Sequence, residues 1–266
     1  MNRTLVIIPT YNERENLADL TARVLRSANG VDLLVVDDNS PDGTGALASA
    51  LAAAHDRIHV LHRAGKEGLG AAYRAGFAWG LERGYEQLVE MDADGSHQPE
   101  QLPLLLDRLR TADVVLGSRW VPGGQVENWP FRRMLLSQGG SLYARIALGL
   151  PFRDVTGGYR AFTAEALQVI GFDRVLSQGY GFQIEMLWHA YTAGLSIAEV
   201  PITFVERVHG VSKMSSGIVR EAIGRVTLWG IQGLPGRIRG TVPLDRTVSV
   251  DKTVPLDKQH GHVAHV

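Results

Sequence analysis

The sequence predicts an α/β fold, with a mostly parallel central sheet and helices on both faces, on three observations. Short β-branched apolar runs alternate with stretches of helical spacing through the first half of the chain. Four of those runs lead at once into acidic or polar clusters. Right-handed crossovers bring the C-terminal ends of parallel strands to one edge, which is where open α/β sheets bind ligands.

Residues 5–8 form a compact apolar run that Pro9 stops, a fully buried first strand. Residues 15–28 carry Leu17, Leu20, Val24 and Leu25 on one helical face. Residues 31–36 are a second buried strand, and in the polar run after it Asp42 or Thr44 can cap a helix reaching about Ala54. Residues 58–61 make a third strand. Residues 70–84 read as helix, with Tyr73, Phe77 and Leu81 four apart. Residues 87–91 are a fourth strand, ending in Asp92-Ala93-Asp94-Gly95-Ser96-His97. Residues 99–110 are helical, and 114–116 form a strand that ends at Gly117-Ser118-Arg119.

The second half is less regular. Residues 129–150 and 218–234 are amphipathic and contain arginines, as helices at a membrane interface do, although packing on the main domain explains them equally well. Asp154 to Arg160 reads as a Gly-rich loop, 181–193 as helix, 197–205 as one strand and 206–215 as a polar loop. From Thr241 onward no core-forming period exists. Thr-Val-Pro-Leu-Asp-Arg recurs there as Thr-Val-Pro-Leu-Asp-Lys, and the end is His-rich, so 241–266 is expected to be a disordered tail.

Composition narrows the classes. Of 266 residues 45% are hydrophobic and 21% charged, which suits a globular protein. A net charge of −1 gives no basic field for nucleic acid. With no cysteine, neither disulfides nor thiolate metal sites exist. The first apolar run is too short for a signal peptide, and no stretch approaches the ~20 apolar residues of a membrane span. The expectation is a protein that is soluble or attached to a membrane from one side.

A dinucleotide-binding dehydrogenase needs Gly-x-Gly-x-x-Gly after its first strand, where this chain has Pro-Thr-Tyr-Asn-Glu. Gly65 to Gly70 has the wrong spacing for that motif and lacks the Gly-Lys-Ser/Thr of a Walker loop. A nucleotide-sugar site accounts for more residues. Tyr11 can stack on a base, Glu13 or Asp38 can accept from base or ribose, and Asp94 can hold a cation that neutralises a diphosphate. Arg119, Arg207 and Lys213 supply positive charge for phosphates.

Pro9 to Glu13, Val36 to Thr44, Gly68 to Tyr73, Met91 to Asp94, Gly117 to Arg119 and the Arg207…Ser212-Lys213 loop occur in this order. Together, over about residues 4–235, they resemble the polyprenol- and dolichol-phosphate mannose synthases, inverting GT-A glycosyltransferases of family 2. That resemblance implies a Rossmann-like GT-A domain over 1–240, with interfacial helices at about 128–150 and 215–235. It implies GDP-mannose as donor, a polyprenyl phosphate as acceptor, Mg²⁺ or Mn²⁺ as cofactor, and attachment to the cytoplasmic face of a membrane. It places Pro9, Tyr11, Glu13, Val36 and Asp38 around the nucleoside, and Asp92, Ala93 and Asp94 near ribose, diphosphate and metal. Asp94 is the firmest ligand. Relatives often carry Leu-Gln or Leu-Ser after Asp-Ala-Asp, whereas Gly95-Ser96 stands here, and Ser96 is a poorer second ligand. Arg119, Arg207 and Lys213 would contact phosphates, and Arg119, Arg133 and Ser137 are assigned to the acceptor phosphate. Asp92, Asp94 and Arg119 form the expected catalytic set, with no obligatory base, because a phosphate monoester is already largely a dianion near neutral pH. A UDP-glucose transferase of the same kind is the alternative enzyme. A catalytically silent nucleotide-sugar-binding scaffold that recruits a membrane-protein partner is the alternative of another class.

Overall fold

The computed structural model describes residues 2–207 and 216–238. Seven strands form the main sheet: β1 (Thr4–Thr10), β2 (Val31–Asp37), β3 (Ile58–His62), β4 (Gln87–Glu90), β5 (Val114–Ser118), β7 (Arg160–Thr163) and β8 (Ile197–Pro201). Their order is β3-β2-β1-β4-β7-β5-β8, and only β7 runs antiparallel to its neighbours. A separate parallel pair joins β6 (Gln125–Glu127) to β9 (Thr203–Val205).

The apolar runs form the middle strands because both sheet faces are covered, so neither face can be polar. On one face lie α1 (Arg14–Ser27), α2 (Thr44–Ala54) and α4 (Leu102–Arg108), which bury Leu17, Leu20, Val24, Ala48, Leu102 and Leu105. A 3₁₀ turn, Pro99–Gln101, leads into α4, whose first turn also carries a proline. On the other face lie α3 (Leu69–Glu82), α5 (Phe131–Leu148), α6 (Ala164–Ile170), α7 (Tyr180–Thr192) and α8 (Ser216–Ile238), around Tyr73, Phe77, Phe162, Phe182 and Trp229. Helix α3 lies close on the sheet. A Cβ at Gly76 would stand 2.5 Å from Ile7 Cγ2, and one at Gly80 2.8 Å from Leu88 Cδ2.

The structure corrects two expectations. The expected strand over 197–205 is two strands in two sheets: Pro201 ends β8, and Ile202 N–H donates to Ser118 O at 3.1 Å before β9 departs. The Gly-rich loop ends one residue early, because Arg160 opens β7, where it pairs with Glu90 across the antiparallel register. Strand β6 and helix α6 also carried no expectation. The two amphipathic helices pack together, with Tyr143 Oη 2.6 Å from Thr227 Oγ1, and α8 stacks Trp229 on Trp188 of α7. Their outer faces stay uncovered: Phe131, Leu135, Leu142 and Ile146 on α5, and Ile223, Leu228 and Ile231 on α8, are exposed. Among the described residues no helix is long and apolar enough to cross a membrane. The tail expected at 241–266 and Lys213 lie outside the described residues.

Candidate active site

The polar clusters meet at the C-terminal edge of the sheet, around a cavity of 530 Å³. One end is lined by Pro9, Thr10, Tyr11, Glu13, Asp38 and Lys66, the other by Asp92, Ala93, Asp94, Tyr180, Gln183 and Arg207.

At the first end, much of the polar run after β2 is spent on local structure. Asp37 accepts from Thr10 Oγ1 (3.0 Å) and Ser40 Oγ (2.6 Å). Asp42 accepts from the Thr44 N–H (2.9 Å) and hydroxyl (2.6 Å), holding the start of α2. Asn12 and Asn39 take positive φ of 58° and 56°, which turns both loops; asparagine tolerates that region better than most residues. Asp38 remains on the cavity, paired with Arg63 at 2.5 Å. Burial pushes its carboxyl up, and Arg63 opposes that shift. Lys66 Nζ lies 4.2 Å over the Tyr11 ring. Val36, expected at the nucleoside, is wholly buried against the α3 face of the sheet, away from the cavity lining.

At the second end, Asp92 and Asp94 share the turn after β4. The Asp92 N–H donates to His97 Nδ1 at 3.0 Å, and that ring stacks on Tyr159 at 4.9 Å. Burial pushes the imidazole down, so it stands neutral with its proton on Nε2, 3.8 Å from Asp92 Oδ2. The Asp92 carboxyl is raised by burial and by Asp94, against the pull of Arg207. Gly95 turns the chain at φ +76°, and the Ser96 N–H then donates to Asp94 Oδ1 at 3.1 Å. Arg207 Nη2 lies 3.0 Å from Asp94 Oδ2. The Ser96 hydroxyl is buried without a hydrogen-bond partner among the described residues, and Ser96 does not line the cavity.

Arg119 is likewise set back from the lining. It is 4% exposed, and its backbone N–H, Nε and Nη2 donate to Asp154 at 2.9, 2.7 and 2.6 Å. Its Nη2 also reaches Thr156 Oγ1 at 3.1 Å. Burial opposes the charge of both partners, yet each holds the other ionised: Asp154 is pulled down and Arg119 pushed up. Arg133 pairs with Glu206 and lies 4.3 Å over the Trp129 ring, while Ser137 is half-buried on α5; neither lines the cavity.

Sequence reasoning missed Lys66, Thr156, Gly158, Gln178, Gly179, Tyr180 and Gln183, all on the cavity wall. Gly157-Gly158 and Gly179-Tyr180-Gly181 were the available signal, since glycine pairs mark close backbone approach. Among the described residues no three acidic or histidine side chains cluster as a ready-made metal cage. The oxygen donors do fit a hard divalent cation that keeps water and substrate oxygens in its shell: Asp94 supplies a carboxylate, with Asp92 two residues away on the same wall.

The family model for glycosyl transferase family 2 matches residues 5–171. The chain is 58% identical over 242 residues to the polyprenol monophosphomannose synthase of Mycolicibacterium smegmatis, covering 90% of this chain and 91% of that one. It is 57% identical over 240 residues to the undecaprenyl-phosphate mannosyltransferase of Micrococcus luteus, covering 89% and 99%. At greater distance, a dolichol-phosphate mannosyltransferase of Pyrococcus furiosus is 35% identical over 249 residues, covering 87% and 68%. Among solved structures, glucosyl-3-phosphoglycerate synthase from Mycobacterium tuberculosis, in complex with Mn²⁺, UDP-glucose and phosphoglyceric acid, superposes with a TM-score of 0.62 at 21% identity, covering 87% and 80%. That likeness is one of fold, the GT-A arrangement. The chain belongs to glycosyl transferase family 2.

Proposed function

For this family 2 glycosyltransferase we propose transfer of mannose from GDP-mannose to a polyprenyl phosphate, with inversion. Its relatives at 58% and 57% identity are named as polyprenyl-phosphate mannosyltransferases, which places the chain in that reaction class. The carrying observation is one cavity lined by Tyr11, Glu13, Asp38 and Lys66 at one end and by Asp92, Asp94 and Arg207 at the other. The first set suits a base and ribose, the second a diphosphate.

A bound Mg²⁺ or Mn²⁺ would neutralise charge developing on the departing diphosphate. Asp94 would hold it, with Ser96 orienting Asp94 through its backbone N–H. Arg207, which meets Asp94 through a single nitrogen on the cavity wall, would turn from it to the phosphates. Asp92 positions the donor, and the neutral His97 steadies it from behind. Arg119 acts through Asp154: it fixes the turn that carries Thr156 and Gly158. Lys213 would add to the charge on the phosphates. The acceptor phosphate, already anionic, needs alignment on the anomeric carbon rather than a base. Arg133 and Ser137 on α5 are assigned to that alignment. The exposed apolar faces of α5 and α8 would lie against the cytoplasmic surface of a membrane, where the acceptor resides.

The test is a donor panel (GDP-mannose, UDP-glucose, GDP-glucose) with a short polyprenyl phosphate, with and without EDTA. A β-linked mannosyl product that EDTA abolishes is expected. An α-linked product rules out single displacement, and turnover of UDP-glucose alone replaces the donor. Liposome flotation of the chain with Leu135 and Leu142 made polar checks the membrane face, and undiminished binding removes α5 from it.

A further inference from the structure

Behind the second end of the cavity lies a buried polar pair that the mechanism above does not use. Gln183, on α7, is 2% exposed and lines the cavity, and among the described residues neither atom of its amide has a hydrogen bond of good geometry. Glu90, the last residue of β4, is wholly buried, and among the described residues both its carboxyl oxygens likewise lack a hydrogen-bond partner. The two side chains face one another closely enough for Gln183 to favour the ionised carboxylate. Burial wins over that effect and over the charge of Arg160, and pushes the Glu90 carboxyl up to about 8. Tyr73 on α3 and Asp92 also face this carboxyl.

Arg160 does not satisfy the pair. Its Nε, Nη1 and Nη2 donate to the backbone carbonyls of Gly157 (2.8 Å), Gln183 (2.6 Å) and Val155 (2.9 Å). This ties the main chain of Gln183 to the turn bearing Thr156 and Gly158 and leaves only its side chain uncommitted. An amide buried without partners is destabilising unless something supplies them. Gln183 lines the cavity at the end where Asp92 and Asp94 would receive the sugar diphosphate, so a bound substrate can supply that partner.

We propose that the Gln183 amide hydrogen-bonds a hydroxyl of the transferred hexose, and that Glu90, which faces the amide from behind, is a positioning residue that closes a hydrogen bond to it when the sugar is bound and so fixes which way the amide points. This rests on the nucleotide-sugar reading of the cavity. It makes the pair a determinant of sugar choice, separate from the residues that hold base and phosphates. A sugar lacking or inverting that hydroxyl would leave the cavity-facing atom of the amide unpaired.

The experiment compares binding of GDP and of GDP-mannose by calorimetry in the presence of Mn²⁺, for wild type, Gln183→Leu, Glu90→Leu, Glu90→Gln and the double variant Gln183→Leu with Glu90→Leu. Gln183→Leu should leave the Kd for GDP within about twofold while weakening GDP-mannose about tenfold, the effect of one lost hydrogen bond to a buried site. Retained GDP binding shows that the variant folds. Glu90→Leu should reproduce the shift, the double variant should add nothing to it, and Glu90→Gln should restore most of the affinity. An unchanged ratio of the two affinities in Gln183→Leu overturns the proposal, and so does a Glu90→Leu effect that adds fully to it. If the wild type transfers a different sugar, the donor assignment fails by itself. The same ratio is then taken between that sugar nucleotide and its diphosphate, and an unchanged ratio there overturns the proposal.

Discussion

Two guanidinium–carboxylate pairs mark two unlike regions of the site. Arg119 and Asp154, 4% and 0% exposed at their side chains, share a forked set of hydrogen bonds behind the cavity wall. Arg207 and Asp94 meet through one nitrogen and one oxygen at 3.0 Å on the wall itself. Burial and the number of hydrogen bonds decide what each charge is for. A guanidinium with fixed partners on every side is structure. One that meets its partner at a single point, in reach of water, can be exchanged for substrate.

The largest effect should come from breaking the inner pair. Asp154→Ala leaves Arg119 buried and uncompensated, which costs about 3–5 kcal/mol; urea denaturation should show the midpoint fall with no change in slope. Asp94→Ala attacks the outer pair and should leave that midpoint nearly unmoved while kcat falls by on the order of 10²–10³, the usual cost of removing one electrostatic contact from a transition state. If Asp94→Ala destabilised as much as Asp154→Ala, the distinction between the two regions would collapse.

Glu90 sharpens the comparison through pH. Its folded pKa of about 8 exceeds the ordinary 4.5, so the folded state binds more protons than the unfolded between those values. Stability is therefore fully present below the lower value and is lost as pH rises through the upper one. Glu90→Gln removes the titration. Its stability relative to wild type should rise by on the order of 4 kcal/mol between pH 4 and pH 9, at about 1.4 kcal/mol per unit. Parallel melting temperatures of the two proteins across that range would mean that the carboxyl is not held in its neutral form. The smallest effect is expected at the rim. Arg133→Ala should raise the acceptor KM about tenfold, one charged contact, and leave the donor KM alone. An unaltered acceptor KM takes Arg133 out of the acceptor site.

The same contrast explains what could be read from the chain. Strands β1 to β5 and the helices between them were legible because each is a local pattern: an apolar run that two covered faces require, or a stripe such as Leu17, Leu20 and Val24. Asp92 and Asp94 were legible because they end such a run. Strand β7 was not, since four residues beginning with a buried arginine have no strand signature until Glu90 and Leu116 stand on either side of Arg160. Thr156, Tyr180 and Gln183 were missed for the same reason: they come from a turn and a helix start far apart in the chain.

The sequence by itself determined the layer architecture, the family and the edge of the sheet where chemistry gathers, because periodicity, turn residues and motif spacing are local properties. Only the tertiary structure decided which charges are committed and which are available. Arg119 and Arg207 are the same residue type on loops at the same edge. Asp154, thirty-five positions away from Arg119, buries one, and the cavity leaves the other in reach of solvent. Desolvation depends on what packs around a charge in space, and that quantity is not written at any single position of the chain.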